Sequence, residues 1–413
     1  MHRDLQELFP CPGEWEDEES KSVASVVRQW VEREITSKRL DYLNGYDRLF
    51  HEKRRMLQIE IGLQRLTVPE EDGGFGWNRR ERAPAILAVL SEIARADAST
   101  AVVCALGFTV LAPVVMEQAA GEELCRSVIP LFCADEPCTA SVILPGPGTL
   151  GSDGALFMGR SIPARIHRNG KKCRISGAMM RPFPCGAGAD IFCAVCADEG
   201  GAASLAFVPA SERGISESPA VRTTGLNACA TGDVTFDDVE ISGEWVINDE
   251  QAVRTLYTWF NLCLGGASIG AALNFFEILS DWAESRTIKG GHPMKENPLC
   301  ASVLAEVAEE IFLSRRMLWD LAHTMTRDEE WESSEGRRLF TFAQIIGTRV
   351  QESALKAVNR GMELMGSAGY TKEWHAEKHW RDIKTIQSCL CGVGAGVPVK
   401  MDSARFFYDC REV

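Results

Sequence analysis

Leu66-Thr-Val-Pro-Glu-Glu-Asp-Gly-Gly-Phe-Gly-Trp77 closes a helical stretch with a tight surface loop. Pro69 removes a backbone donor, and Gly73, Gly74 and Gly76 permit positive φ, so no helix can run through it. Upstream, Val23, Val26, Val27 and Trp30 recur at three- and four-residue steps, and Leu57, Ile61, Leu63 and Leu66 follow a basic stretch. That period predicts helices from about Ser20 onward. Downstream, the apolar run Ala101 to Met116 falls short of the ~20 residues of a membrane span and contains Pro113, which predicts a buried core helix.

Between about Pro137 and Asn248 the texture changes. Short β-prone runs at Thr139–Leu144, Ile162–His167, Asp190–Ala197, Ser204–Pro209 and Asp233–Ile241 are separated by Gly, Pro, Ser and Asp. Strands that follow one another without helices between them predict an antiparallel β domain and disfavour a doubly wound nucleotide fold. From about Gln251 helical periodicity returns. Leu304, Val307, Ile311, Leu318 and Leu321 form one stripe, and Gln344 to Leu364 forms another long helix. The expected organisation is α+β: an N-terminal helical domain (1–136), a middle β domain (137–248) and a C-terminal helical bundle (249–413). A chain of 413 residues also exceeds the roughly 250–300 that one core supports.

A net charge of −14, with no basic run, makes the surface repel nucleic-acid phosphates and anionic lipid. Fifteen cysteines in a long chain without a signal-peptide pattern are expected as free thiols in a reducing cytoplasm.

Four segments then carry a resemblance to the acyl-CoA dehydrogenase family: Leu66 to Gly76, Val234-Thr-Phe-Asp-Asp-Val-Glu-Ile241, Gly366-Ser-Ala-Gly-Tyr370 and Arg381-Asp-Ile-Lys384. Their order spans the chain from about Ser20 to Phe407. The resemblance implies FAD between subunits of a homodimer or homotetramer, and an acyl thioester, on CoA or a carrier protein, beside the flavin. It also implies an acceptor such as an electron-transfer flavoprotein. In that chemistry a carboxylate removes the α-proton while a hydride leaves for the flavin, so the carboxylate must sit dry and within reach of the α-carbon.

Set against the family pattern, Leu390 stands where the usual glutamate is expected, within Ser388-Cys-Leu-Cys-Gly392, and Phe260 stands at the alternative base position. The flavin-side segments read Ile143-Leu-Pro145 and Arg181-Pro-Phe183, so alkyl and aromatic groups at Ile143 and Phe183 replace hydroxyl contacts. Glu363 takes the place of a glutamine beside the diphosphate, followed by Gly366 and Gly369, while Arg286 matches the diphosphate arginine. A carboxylate there would cost roughly 3–4 kcal/mol per charge pair before screening unless offset. The residues after Arg286 depart from the pattern, reading Lys289-Gly-Gly291.

If the protein oxidises its substrate, the base must come from elsewhere, and Asp97 on the first bundle's core helix is a candidate. Cys389 and Cys391 flank the expected α-carbon position; they serve as base or nucleophile only if a cation lowers their pKa, and otherwise read as small hydrophobes. Three functions stay open: a flavoprotein with a non-standard base, a non-catalytic subunit paired with an active homologue, and a flavin-dependent monooxygenase or eliminase. No metal site is expected.

Four further patterns have plain structural explanations. Gly146-Pro-Gly-Thr-Leu-Gly151 fits a dinucleotide loop but lacks the following helix and reads as a turn. Gly266-Ala-Ser-Ile-Gly270 fits a hydrolase elbow but lies in a helical region, where small residues let two helices approach. Cys193 and Cys196 are three apart on a strand and point to opposite faces, which opposes shared ligation. His375 and His379 are expected as solvated or supporting side chains.

Overall fold

The computed structural model describes residues 8–9, 17–40, 52–116, 120–147, 154–288, 290–327 and 337–408. Lys289 and the 148–151 half of the glycine loop lie outside them. In the N-terminal part, helix α1 (Glu18–Glu34) starts at Asp17, whose carboxylate accepts from the Ser20 amide. Helices α2 (Ala83–Ala96), α3 (Ala98–Leu111) and α4 (Glu122–Cys133) follow. Val27 and Trp30 of the α1 stripe are buried, whereas Val26 is exposed. The stretch from Leu57 to Leu66 is not one helix: Gly62 at φ +87° divides it into two short turns.

Among the described residues the central part holds eleven strands: β1 (Ala140–Ile143), β2 (Gly146–Pro147), β3 (Leu156–Phe157), β4 (Arg160–Ser161), β5 (Ala164–Asn169), β6 (Lys172–Met180), β7 (Ile191–Ala197), β8 (Ala203–Pro209), β9 (Ile215–Glu217), β10 (Val234–Ser242) and β11 (Val246–Ile247). The main sheet runs β11-β8-β7-β5-β6-β10-β9, with β1 also on β7, and β2-β4-β3 form a small second sheet. The expectation of a purely antiparallel domain is corrected here. Strand β7 pairs parallel with both β1 and β5. A parallel pair needs a crossover, usually a helix; here intervening strands make it, with β6 returning the chain from β5 to β7. No βαβ unit is needed, and the sheet is mixed.

The C-terminal part contains α5 (Glu250–Ser285), α6 (Pro298–Met325), α7 (Arg337–Met365), α8 (Ala376–Cys391) and α9 (Val393–Tyr408). Helix α5 packs against α2, α3, α6, α7 and α8 and is the spine of the molecule. Its glycines permit this, since a Cβ at Gly270 would lie 2.1 Å from the Ser91 carbonyl oxygen of α2, and one at Gly265 would meet Leu318 of α6. Ser268, between them, donates to Gln351 Oε1 at 2.7 Å. The Gly266–Gly270 run is therefore a helix-packing seam. Trp259, Phe260 and Phe275 are buried on the same helix, each contributing about 1.5–3 kcal/mol through burial.

Among the described residues two segments, Ala98–Met116 and Glu250–Ser285, are long and apolar enough to cross a membrane, but 83% and 78% of their most apolar windows are buried inside the fold. They are core helices here, as the Ala101–Met116 run predicts. Among the described residues thirteen cysteines are free thiols. Cys193 and Cys196 are fully enclosed in β7, and burial pushes both thiols upward in pKa, that of Cys196 to about 12.

Candidate functional site

A cavity of about 190 Å³ opens where the three parts of the chain meet. Val142 of β1, Leu144 and Pro145 of the turn after it, and Gly146 of β2 form one side, and the segment after β6 supplies Arg181 and Phe183. From α5 come Tyr257 and Phe260, three residues apart and thus on one helical face. The close of α8 adds Cys389 and Leu390, α9 forms a wall with Ala395, Pro398 and Val399, and Arg160 and Gln344 complete the lining.

Phe183 is fixed by a two-way backbone pairing with Val142, its amide donating at 2.9 Å and its carbonyl accepting at 3.0 Å. Its ring meets that of Phe260 edge to face at 5.7 Å. Leu390 and Phe260, the two positions where a base would be expected, thus line one space although 130 residues of chain separate them. Among the fifteen residues lining it there is no Asp, Glu or His.

The cations in the wall are already matched. Arg160 is buried and its Nη2 donates to Asp402 Oδ2 of α9 at 2.6 Å, while its guanidinium lies 5.7 Å from the ring centres of both Tyr257 and Phe340. Burial pushes the Asp402 carboxyl above its ordinary value, and Arg160 and Arg405 pull it partly back. Arg181 donates twice to Asp233, at 2.7 and 2.9 Å. Burial likewise raises the Tyr257 phenol and pushes the Cys389 thiol up to about 12. No cation lowers it, so Cys389 stays protonated. Cys391 is pushed up to about 11, chiefly by burial, and is not part of the lining. Its thiol faces the Thr348 carbonyl at 3.9 Å.

Asp97 is not brought to this cavity. It caps α3, accepting from the Thr100 amide at 2.7 Å and from the Ser99 hydroxyl, and it holds Lys378 Nζ at 3.0 Å. Lys378 also pairs with Asp382, which accepts from the Leu226 amide at 2.7 Å. Burial pulls the Lys378 ammonium down, but the two aspartates outweigh it and hold it above its ordinary value. This is a buried strut that ties α8 to α3 and to the loop before β10.

His379 is fully buried, with Nε2 3.0 Å from Asn274 Oδ1, which is the supporting alternative and not the solvated one. His375 stands at the N-cap of α8 with φ +60°. Among the described residues no group of three or more His, Cys, Asp or Glu could hold a metal.

Of the residues assigned to cofactor contact, Phe183 lines the cavity, whereas Ile143 is buried in the β-sheet core beside it. Arg286 follows α5 and is exposed. Glu363 is exposed on α7, where Arg360 Nη1 and Asn359 Nδ2 both donate to it at 3.2 Å. That pairing offsets the repulsion its carboxylate would otherwise exert on a phosphate. Gly366, at φ +60°, has open space where a Cβ would stand, and Gly369 is packed on Met362.

Models of the acyl-CoA dehydrogenase N-terminal domain and C-terminal domain match residues 17–136 and 251–389, together more than half of the sequence. The chain belongs to the acyl-CoA dehydrogenase family. A probable acyl-CoA dehydrogenase of Mycobacterium tuberculosis is 25% identical over 389 residues, covering 92% of each chain. Among solved structures, butyryl-CoA dehydrogenase from Megasphaera elsdenii superposes with a TM-score of 0.76 at 14% identity, covering 95% of this chain and 98% of that one. Dibenzothiophene monooxygenase from Paenibacillus superposes at 0.72 with 17% identity and the same coverage. At such identities the structures show a shared fold, and in this chain the cavity wall at Leu390 and Phe260 is apolar.

Arg160, Gln344, Tyr257 and Asp402 escape a reading from sequence alone. None sits in a motif, and the Arg160–Asp402 pair joins residues 242 apart.

Proposed function

We propose that the protein is a flavoprotein that binds FAD and an acyl thioester at this cavity, and that it lacks a side chain able to take the α-proton of a simple acyl group. The observation that carries this is the cavity lining, in which Leu390 and Phe260 face one another's space and no carboxylate is present. A positioned general base is worth roughly 10²–10⁴ in rate, so desaturation of a plain acyl thioester is expected to be slow by that factor.

The residues present fit the cofactor. Phe183, Phe260 and Leu390 offer flat apolar walls, and at Gly146 a Cβ would project into open space, so the backbone there can lie close to a ring. At about 190 Å³ the cavity takes a ring or a short acyl group, smaller than the roughly 300–1,000 Å³ of a typical ligand pocket. The rest of the cofactor and the thioester carrier would then extend outside it; Arg286, 26 residues or about 39 Å along α5 from Phe260, and the Gly366–Gly369 turn would meet a cofactor held in a second copy's cavity. A second copy of the chain, or an active homologue, would complete the cleft. When bound, FAD supplies a two-electron acceptor. Phe183 and Phe260 would orient the ring and exclude water, and the Arg160–Asp402 pair would hold α9 as the far wall.

Flavin content and product analysis test this. The purified chain is expected to be yellow or to take up FAD, and anaerobic mixing with butyryl-CoA is expected to bleach the flavin slowly. Rapid formation of the α,β-unsaturated thioester would overturn the missing base. A colourless chain that cannot be reconstituted would belong instead to a non-catalytic subunit.

A further inference from the structure

Two of the buried cysteines sit side by side. Cys185 follows Phe183 and Pro184 on the segment after β6, and Cys229 lies in the loop between β9 and β10. The two stretches run in backbone contact around them. The Ala187 amide donates to the Ala230 carbonyl at 2.9 Å, the Thr231 hydroxyl donates to the Pro184 carbonyl at 3.1 Å, and a Cβ at Gly186 would lie 1.9 Å from the Gly232 carbonyl oxygen. Between these anchors the Cys229 thiol donates to the Cys185 sulfur, which also accepts from the Ala230 amide. Both are free thiols, so a disulfide between them would need little movement of the backbone.

The loop is held on its other side as well. The Leu226 amide donates to Asp382 at 2.7 Å, the Ala228 amide to the Ser99 hydroxyl at 3.3 Å, and Arg381 Nη1 to the Thr224 carbonyl at 2.7 Å. It clasps α8 and α3 to the segment that carries Phe183 into the cavity wall.

The two thiols differ in character. The hydrogen bond from Cys229 draws the Cys185 thiol below its ordinary pKa against the effect of burial, and Arg54 and the Ala230 amide act in the same direction. Cys229 is held well above the ordinary value, first by burial and then by Cys185. Cys185 is therefore the nucleophile of the pair and Cys229 the thiol that keeps its proton. Solitary buried thiols have no such help: burial pushes Cys104 and Cys138 up to about 12. The cover over the pair is thin. Asn227 and Ala230, on either side of Cys229, are exposed, as is most of the loop from Pro219 to Thr224, and exposed loops open locally at small free-energy cost.

We propose that Cys185 and Cys229 are a modification site for hydroperoxides, whose reversible disulfide locks the loop before β10 onto the Phe183 segment. The Cys185 thiolate attacks a peroxide oxygen; the S–O bond forms, the O–O bond breaks, and the released hydroxide leaves as water after taking a proton. Cys229 sulfur then attacks Cys185 sulfur, the S–S bond forms, the S–O bond breaks, and a second water carries off the Cys229 proton. Two thiols lose two hydrogens and two electrons, and one hydrogen peroxide becomes two waters. A dithiol reductant reverses the bridge. The inference stands independently of what occupies the cavity.

The experiment treats the reduced, native, full-length chain with millimolar hydrogen peroxide, blocks remaining thiols with iodoacetamide, and maps tryptic peptides by mass. Peptides 175–213 and 223–254, which contain Cys185 and Cys229, are expected to be joined until dithiothreitol separates them. In Cys229→Ala, Cys185 is expected to stop at the sulfenic acid and to be trapped by dimedone. In Cys185→Ala, Cys229 is expected to stay reduced. The serine variants serve the same comparison where an alanine variant does not fold. Amide hydrogen exchange across 218–231 is expected to slow by about tenfold on oxidation and to recover on reduction.

Survival of both thiols, or their reaction only in denaturant, would overturn the proposal. So would a bridge from Cys185 to Cys193 or Cys196 instead, or oxidation of Cys229 as fast without Cys185 as with it. Exchange left unchanged by the bridge would overturn the locking of the loop.

Discussion

Replacing Leu390 by glutamate tests whether the missing carboxylate is what limits the chemistry. Leu390 is 8% exposed and shares the cavity with Phe260, Phe183, Pro398 and Val399. The cations in the wall, Arg160 and Arg181, are already paired with Asp402 and Asp233. A glutamate there would gain little compensating charge, and burial would raise its pKa by about two to three units from its ordinary 4.3. At 1.36 kcal/mol per unit, the folded protein would lose about 3–4 kcal/mol at neutral pH, and none of this below about pH 4, where the side chain is neutral in both states. The same dryness would make the carboxylate a competent base once ionised. Anaerobic stopped-flow bleaching of the flavin by butyryl-CoA is expected to accelerate about 10²–10⁴-fold over the unaltered protein and over Leu390→Gln, with the gain appearing as pH rises through about 6–7. A Leu390→Glu protein that folds, holds flavin and reduces it no faster than Leu390→Gln would refute the reasoning.

Asp402→Asn should leave the Arg160 guanidinium buried without its counter-charge, a loss on the order of 3–5 kcal/mol, read as a lowered denaturation midpoint; an unchanged midpoint would mean that the pair is solvated in solution. His375 and His379 are held well below the ordinary histidine pKa, first by burial and then by Arg39. The stability associated with their neutral forms is therefore fully present above pH 6.5 and is lost as the pH falls below it, with a slope of up to about 1.4 kcal/mol per pH unit for each histidine. Denaturation midpoints between pH 7.5 and 5.5 should show this slope, and His379→Asn should flatten it.

Much of the fold is legible in the sequence because it depends on local periodicity. The runs at 190–197, 204–209 and 233–241 become β7, β8 and β10 within a residue or so, and the Leu304–Leu321 stripe lies on α6. Strand β6 is harder to see: Gly177 interrupts its alternation, at a place where the register with β10 also shifts. The parallel pairing of β1 and β5 on β7 depends on tertiary arrangement and leaves no period to read. At the site, the motif anchors lead to Leu390 and Phe260, and the fold sets both in the same lining. Asp97 illustrates the opposite case. An acidic residue preceding an apolar helix is as suited to capping as to catalysis, and only its bonds to Thr100, Ser99 and Lys378 distinguish the two.

The long helix α5 carries Tyr257 and Phe260 near one end and the glycine seam further along. Ten residues separate Phe260 from Gly270, about 15 Å at 1.5 Å per residue, and a rod of that kind moves as one piece. Any side chain that widens the seam against Ser91 would tilt the rod and swing the aromatic pair with it. The shape of the cavity is thus governed in part from a distance, by two helices that must touch backbone to backbone.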